Sequence, residues 1–122
     1  MTVHRKTRSK ALAQRMRKEI REYLLKKRKR FSFRVHQDGT AFQRKVWDKL
    51  HQIPYGETWS YAKLARAVGR PRAVRAVGNA VGKNKFPIVV PCHRVIRSDG
   101  SVGGYAGGPK KKQWLLVFEK SV

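Results

Sequence analysis

The fold of this chain is decided by residues 60–81, which run SYAKLARAVGRPRAVRAVGNAV. The serine and the glycine that flank Tyr61–Val68 can cap a helix at its two ends. A second helix over Arg72–Val81 is favoured by Pro71, because proline is tolerated best in the first turn of a helix. Two short helices joined by Gly69-Arg70-Pro71 form a helix-turn-helix pattern.

The two sides of the second helix predict different roles. Val74, Val77 and Val81 share the side that indicates a core. A face without bulk can lie close to a nucleic-acid groove, and some minor-groove proteins insert one side chain where a base leaves the stack. The opposite side has this character, with Arg75 as its long side chain among Ala73, Ala76, Gly78 and Ala80. The alternative is an ordinary packing pair of a helical protein.

The rest of the pattern predicts a mainly α fold with short strands. Apolar residues at helical spacing predict a helix over about residues 9–28. The other predicted elements are a strand over Phe31–Val35, a helix capped by Thr40 with Phe42, Val46, Trp47 and Leu50 on one face, a buried strand over Ile88–Val90, and a last helix that begins at Pro109 with Trp114, Leu115 and Phe118 inward.

The chain is strongly basic. It has 30 Lys and Arg against 7 Asp and Glu among 122 residues, which gives a formal charge of +23. This charge favours a phosphate-rich partner, with an anionic membrane surface as the alternative. Residues 1–30 carry +11 of it. We expect them to form a basic helical arm that grips nucleic acid, ahead of one domain over residues 31–122. A solvated helix with a charged end is the alternative for the arm.

Composition also argues against several classes of protein and of site. No run of about 18 apolar residues is present, so no transmembrane helix is expected. The basic N-terminus lacks the apolar segment of a secretory signal. The single cysteine, Cys92, excludes an internal disulfide and a Cys-rich zinc site. We expect an intracellular protein, cytoplasmic and associated with the nucleoid, or nuclear in a eukaryote.

A reactive constellation is predicted around Cys92. The adjacent His93 and Arg94 would favour the thiolate, which is the reactive form of cysteine. A base that takes the thiol proton needs an orienting partner, and Glu119 on the last helix is the candidate, with Asp99 as its rival. The alternative is a small buried cysteine beside a packed core histidine.

The glycine-rich loop, residues 103–108, carries Tyr105 among its glycines. An aromatic side chain in such a loop can form a flat wall for an aromatic ligand, and a flipped nucleobase is such a ligand. A flexible connector is the alternative, and a phosphate cradle is another, although the loop lacks the P-loop arrangement.

With these motifs, residues 38–119 resemble the C-terminal domain of the O6-alkylguanine-DNA alkyltransferases, the methylated-DNA–protein-cysteine methyltransferases. The matching stretches are Gly39-Thr40-Ala41-Phe42-Gln43, Val46-Trp47, Ile53-Pro54-Tyr55-Gly56-Glu57-Thr58, Ser60-Tyr61, Arg75-Ala76-Val77-Gly78, Pro91-Cys92-His93-Arg94-Val95-Ile96 and Tyr105-Ala106-Gly107-Gly108. These motifs occur in order at the family's spacing, which makes the resemblance specific.

The resemblance implies a role for each matching residue. Cys92 would accept the alkyl group, His93 would act on the thiol through a water, and Glu119 would hold that histidine. Tyr61 would crowd the target phosphate and hydrogen-bond the flipped base, and Arg75 would fill the vacated stack. The implied DNA-facing helix positions are Ala73, Ala76 and Gly78. The implied pocket positions are Asn84, Pro87, Val95, Tyr105 and Ala106.

The implied activity is stoichiometric repair of double-stranded DNA. A thiolate would take the alkyl group from O6-alkylguanine, and from O4-alkylthymine, after minor-groove binding and base flipping. Guanine needs its developing charge quenched to leave, which suggests Tyr61 as proton donor. The thioether product could not be removed by a second thiol, so one molecule would act once.

The resemblance also implies a monomer without cofactor, metal or membrane partner. The family's usual N-terminal domain, with the zinc-binding cysteines of some members, is not matched. Lys85 stands where many members have proline, and Pro109 replaces a common leucine.

Two other functions stay open. The alkyltransferase-like proteins have this fold and bind alkylated guanine without accepting the alkyl group, because another residue, usually Trp, replaces the cysteine. The presence of Cys92 speaks for chemistry. A helix-turn-helix regulator would leave the Cys-His pair and the glycine-rich loop unexplained.

Overall fold

The computed structural model describes residues 2–105 and 107–120. In chain order, its elements are α1 (Thr2–Leu24), α2 (Ala41–Leu50), β1 (Trp59–Ser60), α3 (Tyr61–Ala67), α4 (Val74–Gly82), a 3₁₀ turn (Cys92–Arg94), β2 (Val95–Ile96) and α5 (Pro109–Lys120). Across this described part, no helix has the length and apolar character needed to cross a membrane. The predicted mainly α fold with short strands is confirmed.

The chain divides into two compact units after His36. The first unit contains α1 and the segment that follows it. In this segment Phe31 stacks on Tyr23 with 5.9 Å between ring centroids, and Phe33 packs edge-on against Phe31 at 5.8 Å. The carboxylate of Glu19 accepts hydrogen bonds from the backbone and the hydroxyl of Ser32. These contacts fold the segment back onto the end of its own helix.

Two sequence predictions for this unit need correction. The helix begins at Thr2 and ends at Leu24, whereas the spacing predicted residues 9–28. It stops early because Lys26 adopts a left-handed conformation, with φ of 60°. The predicted strand over Phe31–Val35 is wrong. A segment of alternating apolar residues forms a strand only where a neighbouring strand pairs with it. Here the rings of Phe31 and Phe33 pack with Tyr23 instead.

The second unit is built around the helix-turn-helix pair α3 and α4. Ser60 caps α3 by accepting a hydrogen bond from the Lys63 N–H, as the sequence predicted. Gly69 closes the turn with φ of 79°, a conformation that costs little only for glycine. α4 begins at Val74, two residues later than predicted, with Pro71 lying in the turn before it. Both helices pack against α2.

α2 supplies the base of this core. Thr40 and Gln43 form a capping box at its N-terminus, in which each side chain bonds the other's backbone. Val46, Trp47 and Leu50 are buried on the predicted face, and the indole N–H of Trp47 donates to the Ala80 carbonyl at 2.8 Å. This bond fixes α2 against α4 and so helps to position the helix-turn-helix pair α3 and α4.

The segment before the cysteine is not the predicted strand. Ile88 has φ of 76°, which breaks an extended conformation, and the Val90 N–H bonds the Phe86 carbonyl across a turn. Val89 and Val90 are buried as expected, but within a turn. The Cys-His pair therefore lies on the 3₁₀ turn, which leads into β2; β2 in turn pairs in parallel with β1.

The last helix begins at Pro109, as predicted, but its faces differ from the prediction. Leu115 is buried, whereas Trp114 is 55% exposed and stacks on Phe118 with 5.0 Å between ring centroids. The buried stripe instead contains Lys112, Leu115 and Glu119, at helical spacing. Polar residues occupy this stripe because it faces the functional site and not a purely apolar core.

Candidate active site

A cavity of about 960 Å³ lies between α3, α4 and the glycine-rich loop. Its lining comprises Tyr61, Val74, Arg75, Gly78, Val81, Gly82, Asn84, Cys92, Arg97, Ser98, Gly104 and Tyr105. Six of the predicted site residues thus line one cavity, and three of them, Tyr61, Arg75 and Gly78, are also predicted DNA contacts. The volume is in the range of small-molecule sites.

Cys92 is 6% exposed on this lining. Burial raises the pKa of its thiol, while a hydrogen bond from the Asn84 side chain and the charge of Lys112 act in the opposite direction. The thiol is therefore protonated at rest, and a base is needed to form the reactive thiolate.

His93, which follows Cys92 on the 3₁₀ turn, and Glu119 are fully buried. The His93 Nε2 and the Glu119 Oε2 lie 2.8 Å apart. Glu119 also receives two charge-assisted hydrogen bonds from Arg94, from Nε to Oε1 and from Nη2 to Oε2, both 2.9 Å. Burial alone would raise the pKa of Glu119, but the hydrogen bonds from His93 and Arg94 hold it well below its usual value. The predicted partner of His93 is thus Glu119; Asp99, its rival, is exposed and bonds Ser101.

The state of His93 follows from this arrangement. Burial lowers its pKa below 6.5 despite the opposing effect of Glu119, so the imidazole is neutral. Because Nε2 faces a carboxylate, that nitrogen carries the proton and donates it in the hydrogen bond. The other nitrogen, Nδ1, is then an acceptor, and it has no hydrogen-bond partner within the described part of the chain. A buried acceptor of this kind can take a proton, directly or through a water.

Tyr61 lies between α4 and the glycine-rich loop. A Cβ added at Gly78 would stand 3.8 Å from its ring, and one at Gly103 would stand 3.4 Å from its hydroxyl. These are ordinary van der Waals distances, so the backbone of α4 and of the loop packs closely on the tyrosine from two sides. Burial and the nearby Cys92 raise the Tyr61 pKa, so its hydroxyl keeps its proton.

Lys112 is a buried site residue whose burial the sequence analysis did not predict. It is fully buried, and its Nζ lies 3.1 Å from the Gly104 carbonyl and 3.4 Å from the Tyr61 hydroxyl. Burial lowers its pKa to about 8 against the opposing effect of Cys92. Its i,i+3 and i,i+7 spacing with Leu115 and Glu119 was the available signal, because these positions share one helix face.

The predicted DNA-facing positions of α4 lie on its open side. Arg75 and Ala76 are exposed, and Ala73 and Gly78 are partly exposed. Arg75 stands on the rim of the cavity that contains Cys92. Two predictions for this helix are wrong: Val74, expected on the core side, is 38% exposed, and Ala80, expected on the open side, is buried against α2.

The other predicted pocket residues are placed differently. Pro87 is exposed and is not part of the cavity lining. Val95 is buried in β2, and its N–H donates to the Cys92 carbonyl. Ala106 lies outside the described residues. Within the described residues, no group of three or more His, Cys, Asp and Glu side chains is arranged to hold a metal ion.

Fold and site together define a helix-turn-helix protein whose cavity presents one cysteine thiol, backed by a buried histidine and carboxylate. Residues 41–121 match the family model described as "6-O-methylguanine DNA methyltransferase, DNA binding domain". A constitutive methylated-DNA–protein-cysteine methyltransferase of Bacillus subtilis is 48% identical over 120 residues, which cover 98% of this chain and 71% of the relative. The chain therefore belongs to the methylated-DNA–protein-cysteine methyltransferase family.

Solved structures agree with this assignment. The Mycobacterium tuberculosis OGT in complex with DNA has 44% identity and a TM-score of 0.86, with 88% of this chain and 67% of that one covered. Schizosaccharomyces pombe Atl1, solved with damaged DNA containing O6-carboxymethylguanine, has 34% identity and a TM-score of 0.60, covering 68% and 79%. Across three curated relatives, the chain spans 71%, 57% and 54% of their lengths.

The neutral, buried His93 predicts a pH dependence of stability. Its folded pKa lies below the ordinary value of 6.5, so its contribution is present above pH 6.5 and is lost as the pH falls, because the unfolded chain takes up the proton more readily. His93→Gln should therefore show a smaller fall in free energy of unfolding than the wild type between about pH 7.5 and about pH 5.5, measured by urea denaturation. The exposed His51→Gln is the control. Equal falls in H93Q and wild type would contradict a neutral His93.

Proposed function

We propose that this chain repairs DNA by moving an alkyl group from O6-alkylguanine, and from O4-alkylthymine, onto Cys92 in a single turnover. The observation that carries the proposal is that Cys92 lines the cavity and is followed on the same 3₁₀ turn by His93, whose ring bonds the buried Glu119. A binding module needs neither a thiol in its pocket nor an acceptor nitrogen behind it.

In the proposed reaction, His93, Tyr61 and water move the protons while the alkyl group passes to Cys92. The thiol proton passes to Nδ1 of His93 through a water, while Glu119 stabilises the imidazolium that forms. The Cys92 sulfur attacks the alkyl carbon, an S–C bond forms, and the bond from that carbon to guanine O6 breaks. The guanine takes a proton from the Tyr61 hydroxyl, and the proton held on His93 restores that hydroxyl by way of solvent. The products are guanine in DNA and a thioether on Cys92.

Lys112 fits this step as an electrostatic aid. Its ammonium lies beside the Tyr61 hydroxyl, where negative charge develops when the proton leaves. The same charge favours the thiolate. Preorganised charges of this kind lower the barrier because they need no rearrangement during the reaction.

The proposed partner is double-stranded DNA, bound through the minor groove by α4. The net charge of +23 and the small-residue face of α4 support it. Arg75 on the cavity rim is suited to fill the space that a flipped base leaves, with the base in the cavity beside Tyr61 and Tyr105. We propose that the protein acts as a monomer inside the cell.

The second candidate is a non-enzymatic lesion-binding protein. The likeness to S. pombe Atl1 favours it. The two candidates predict the same fold and the same DNA, and they differ in whether Cys92 changes covalently.

Incubation with duplex DNA that contains O6-methylguanine should add the mass of one methyl group to the peptide that carries Cys92. The reason is that a thioether is stable once formed, so intact-protein mass spectrometry with peptide mapping detects it directly. Cys92→Ser is the matched control and should bind the same duplex without gaining mass. An unmodified wild-type protein that binds the lesion tightly would instead support the lesion-binding candidate.

Arg75→Ala should slow repair of the duplex lesion by about tenfold or more, while reaction with free O6-benzylguanine changes by less than about threefold, because only the duplex requires base flipping. Single-turnover rates on both substrates measure the difference. Arg72→Ala removes an exposed charge outside α4 and controls for the loss of electrostatic attraction. Equal losses of R75A on the two substrates would remove the proposed role of Arg75.

A further inference from the structure

A buried amide pair lies next to the reactive cysteine and outside the proposed chemistry. Gln37 and Asn84 are 6% and 7% exposed. The Gln37 Nε2 donates to the Asn84 Oδ1 at 2.8 Å, and the Gln37 Oε1 accepts from the Lys85 N–H, also at 2.8 Å. Gln37 thus holds both the side chain of Asn84 and the backbone that follows it.

These bonds settle which way the Asn84 amide faces. Its Oδ1 accepts from Gln37 and from the Phe86 N–H at 3.1 Å, and its Nδ2 donates to the Val90 carbonyl at 2.9 Å. An asparagine amide has two nearly isosteric orientations, and its surroundings choose between them. Two donors aimed at one end leave that end to the oxygen.

The consequence reaches the cavity. Because Gln37 and Phe86 occupy Oδ1 and Val90 takes one Nδ2 hydrogen, the second Nδ2 hydrogen is available to Cys92, and the Asn84 side chain lowers the pKa of that thiol. Asn84 and Cys92 both line the cavity. A donor at this place stabilises the thiolate; an amide turned around would present an oxygen there and disfavour it.

We propose that Gln37 is a positioning residue for alkyl transfer, which locks the Asn84 amide so that its nitrogen faces the Cys92 sulfur. The inference rests on the proposed function, because it assigns a role at the same thiol. Gln37 itself does not touch the sulfur and acts through Asn84.

Other groups also act on this sulfur and must stay constant in a test. Lys112 approaches it from α5, Tyr61 from α3, and Tyr105 from the glycine-rich loop. His93 is its neighbour on the 3₁₀ turn. The test therefore changes Gln37 alone and follows the thiol directly.

Two variants separate positioning from packing. Gln37→Glu keeps an acceptor for the Lys85 N–H but sets an acceptor against the Asn84 Oδ1, and this repulsion should displace the Asn84 amide from its place although Phe86 and Val90 still bond it. Gln37→Met fills similar space and removes both hydrogen bonds without repelling Oδ1. The exposed Gln52→Glu adds the same charge away from the network and is the control.

The readout is the rate at which iodoacetamide alkylates Cys92 as a function of pH, which is unambiguous because the chain has one cysteine. Q37E should raise the apparent thiol pKa and lower the rate near neutral pH by about tenfold, because a hydrogen bond to the charged form is lost. Q37M should cause a smaller change in the same direction, and Q52E should match the wild type. The single-turnover rate with O6-benzylguanine should fall in the same order.

Three results would overturn the inference. The first is a thiol titration of Q37E that matches the wild type. The second is an equal shift of the apparent thiol pKa in Q37E and Q37M, which is the result expected from lost packing. The third is a shift of the same size in Q52E. If Q37E does not fold, Q37M carries the test alone, and an unchanged titration in it overturns the inference. A wild-type chain that is inert to O6-benzylguanine while the thiol titration shifts as expected would refute the proposed function and leave the role of Gln37 standing.

Discussion

The buried carboxylate of Glu119 is the constraint on which the site depends. It binds His93 on one side and Arg94 in a two-pronged pair on the other, and it also accepts from the Gly56 N–H at 3.3 Å. A buried charge is tolerated only where such partners surround it, and removing one partner typically costs about 3–5 kcal/mol. The arrangement therefore fixes α5, the 3₁₀ turn and the loop before β1 in one geometry.

Arg94 extends this constraint to the loop before β1. Its Nη1 donates to the Ile53 carbonyl at 2.8 Å, and its guanidinium lies over the Tyr55 ring. The turn that carries Cys92 is thus fixed by the ion pair of Arg94 with Glu119, and the segment just before it is fixed by the hydrogen bond from the Asn84 amide to the Val90 carbonyl. Chemistry at a thiol needs this rigidity, because a base and a nucleophile cooperate only within hydrogen-bond reach. The open face of α4 takes no part in these contacts and is the proposed DNA-binding face.

Much of the fold follows from local signals in the sequence. Ser60, Thr40 and Gly69 act where the pattern placed them, because caps and left-handed turns depend on neighbouring residues alone. The strands predicted at Phe31–Val35 and Ile88–Val90 failed for the opposite reason. A strand needs a partner elsewhere in the chain, and apolar alternation does not show whether the partner exists.

The site residues show the same difference between what the sequence signals and what only the fold decides. The roles of Cys92, His93 and Glu119 were predicted from residue types and from a family resemblance, and the structure shows the hydrogen bond between His93 and Glu119. The burial of Lys112 was not predicted because a lysine in a basic chain is expected in solvent, and its spacing with Leu115 and Glu119 was the one signal against this; the isolated Gln37 carries no signal of burial. Trp114 was placed inward because its size suggested the core, whereas the helix turns it outward to stack on Phe118.

We propose that Cys92 accepts one alkyl group and cannot react again. The most direct measurement is a titration of the wild-type chain with an excess of duplex that contains labelled O6-methylguanine, counting methyl groups transferred per chain over time. We expect a rise to one methyl group per chain and no further transfer, with unrepaired lesion left in solution. Continued transfer beyond one per chain, or a plateau at zero with lesion bound, would contradict it.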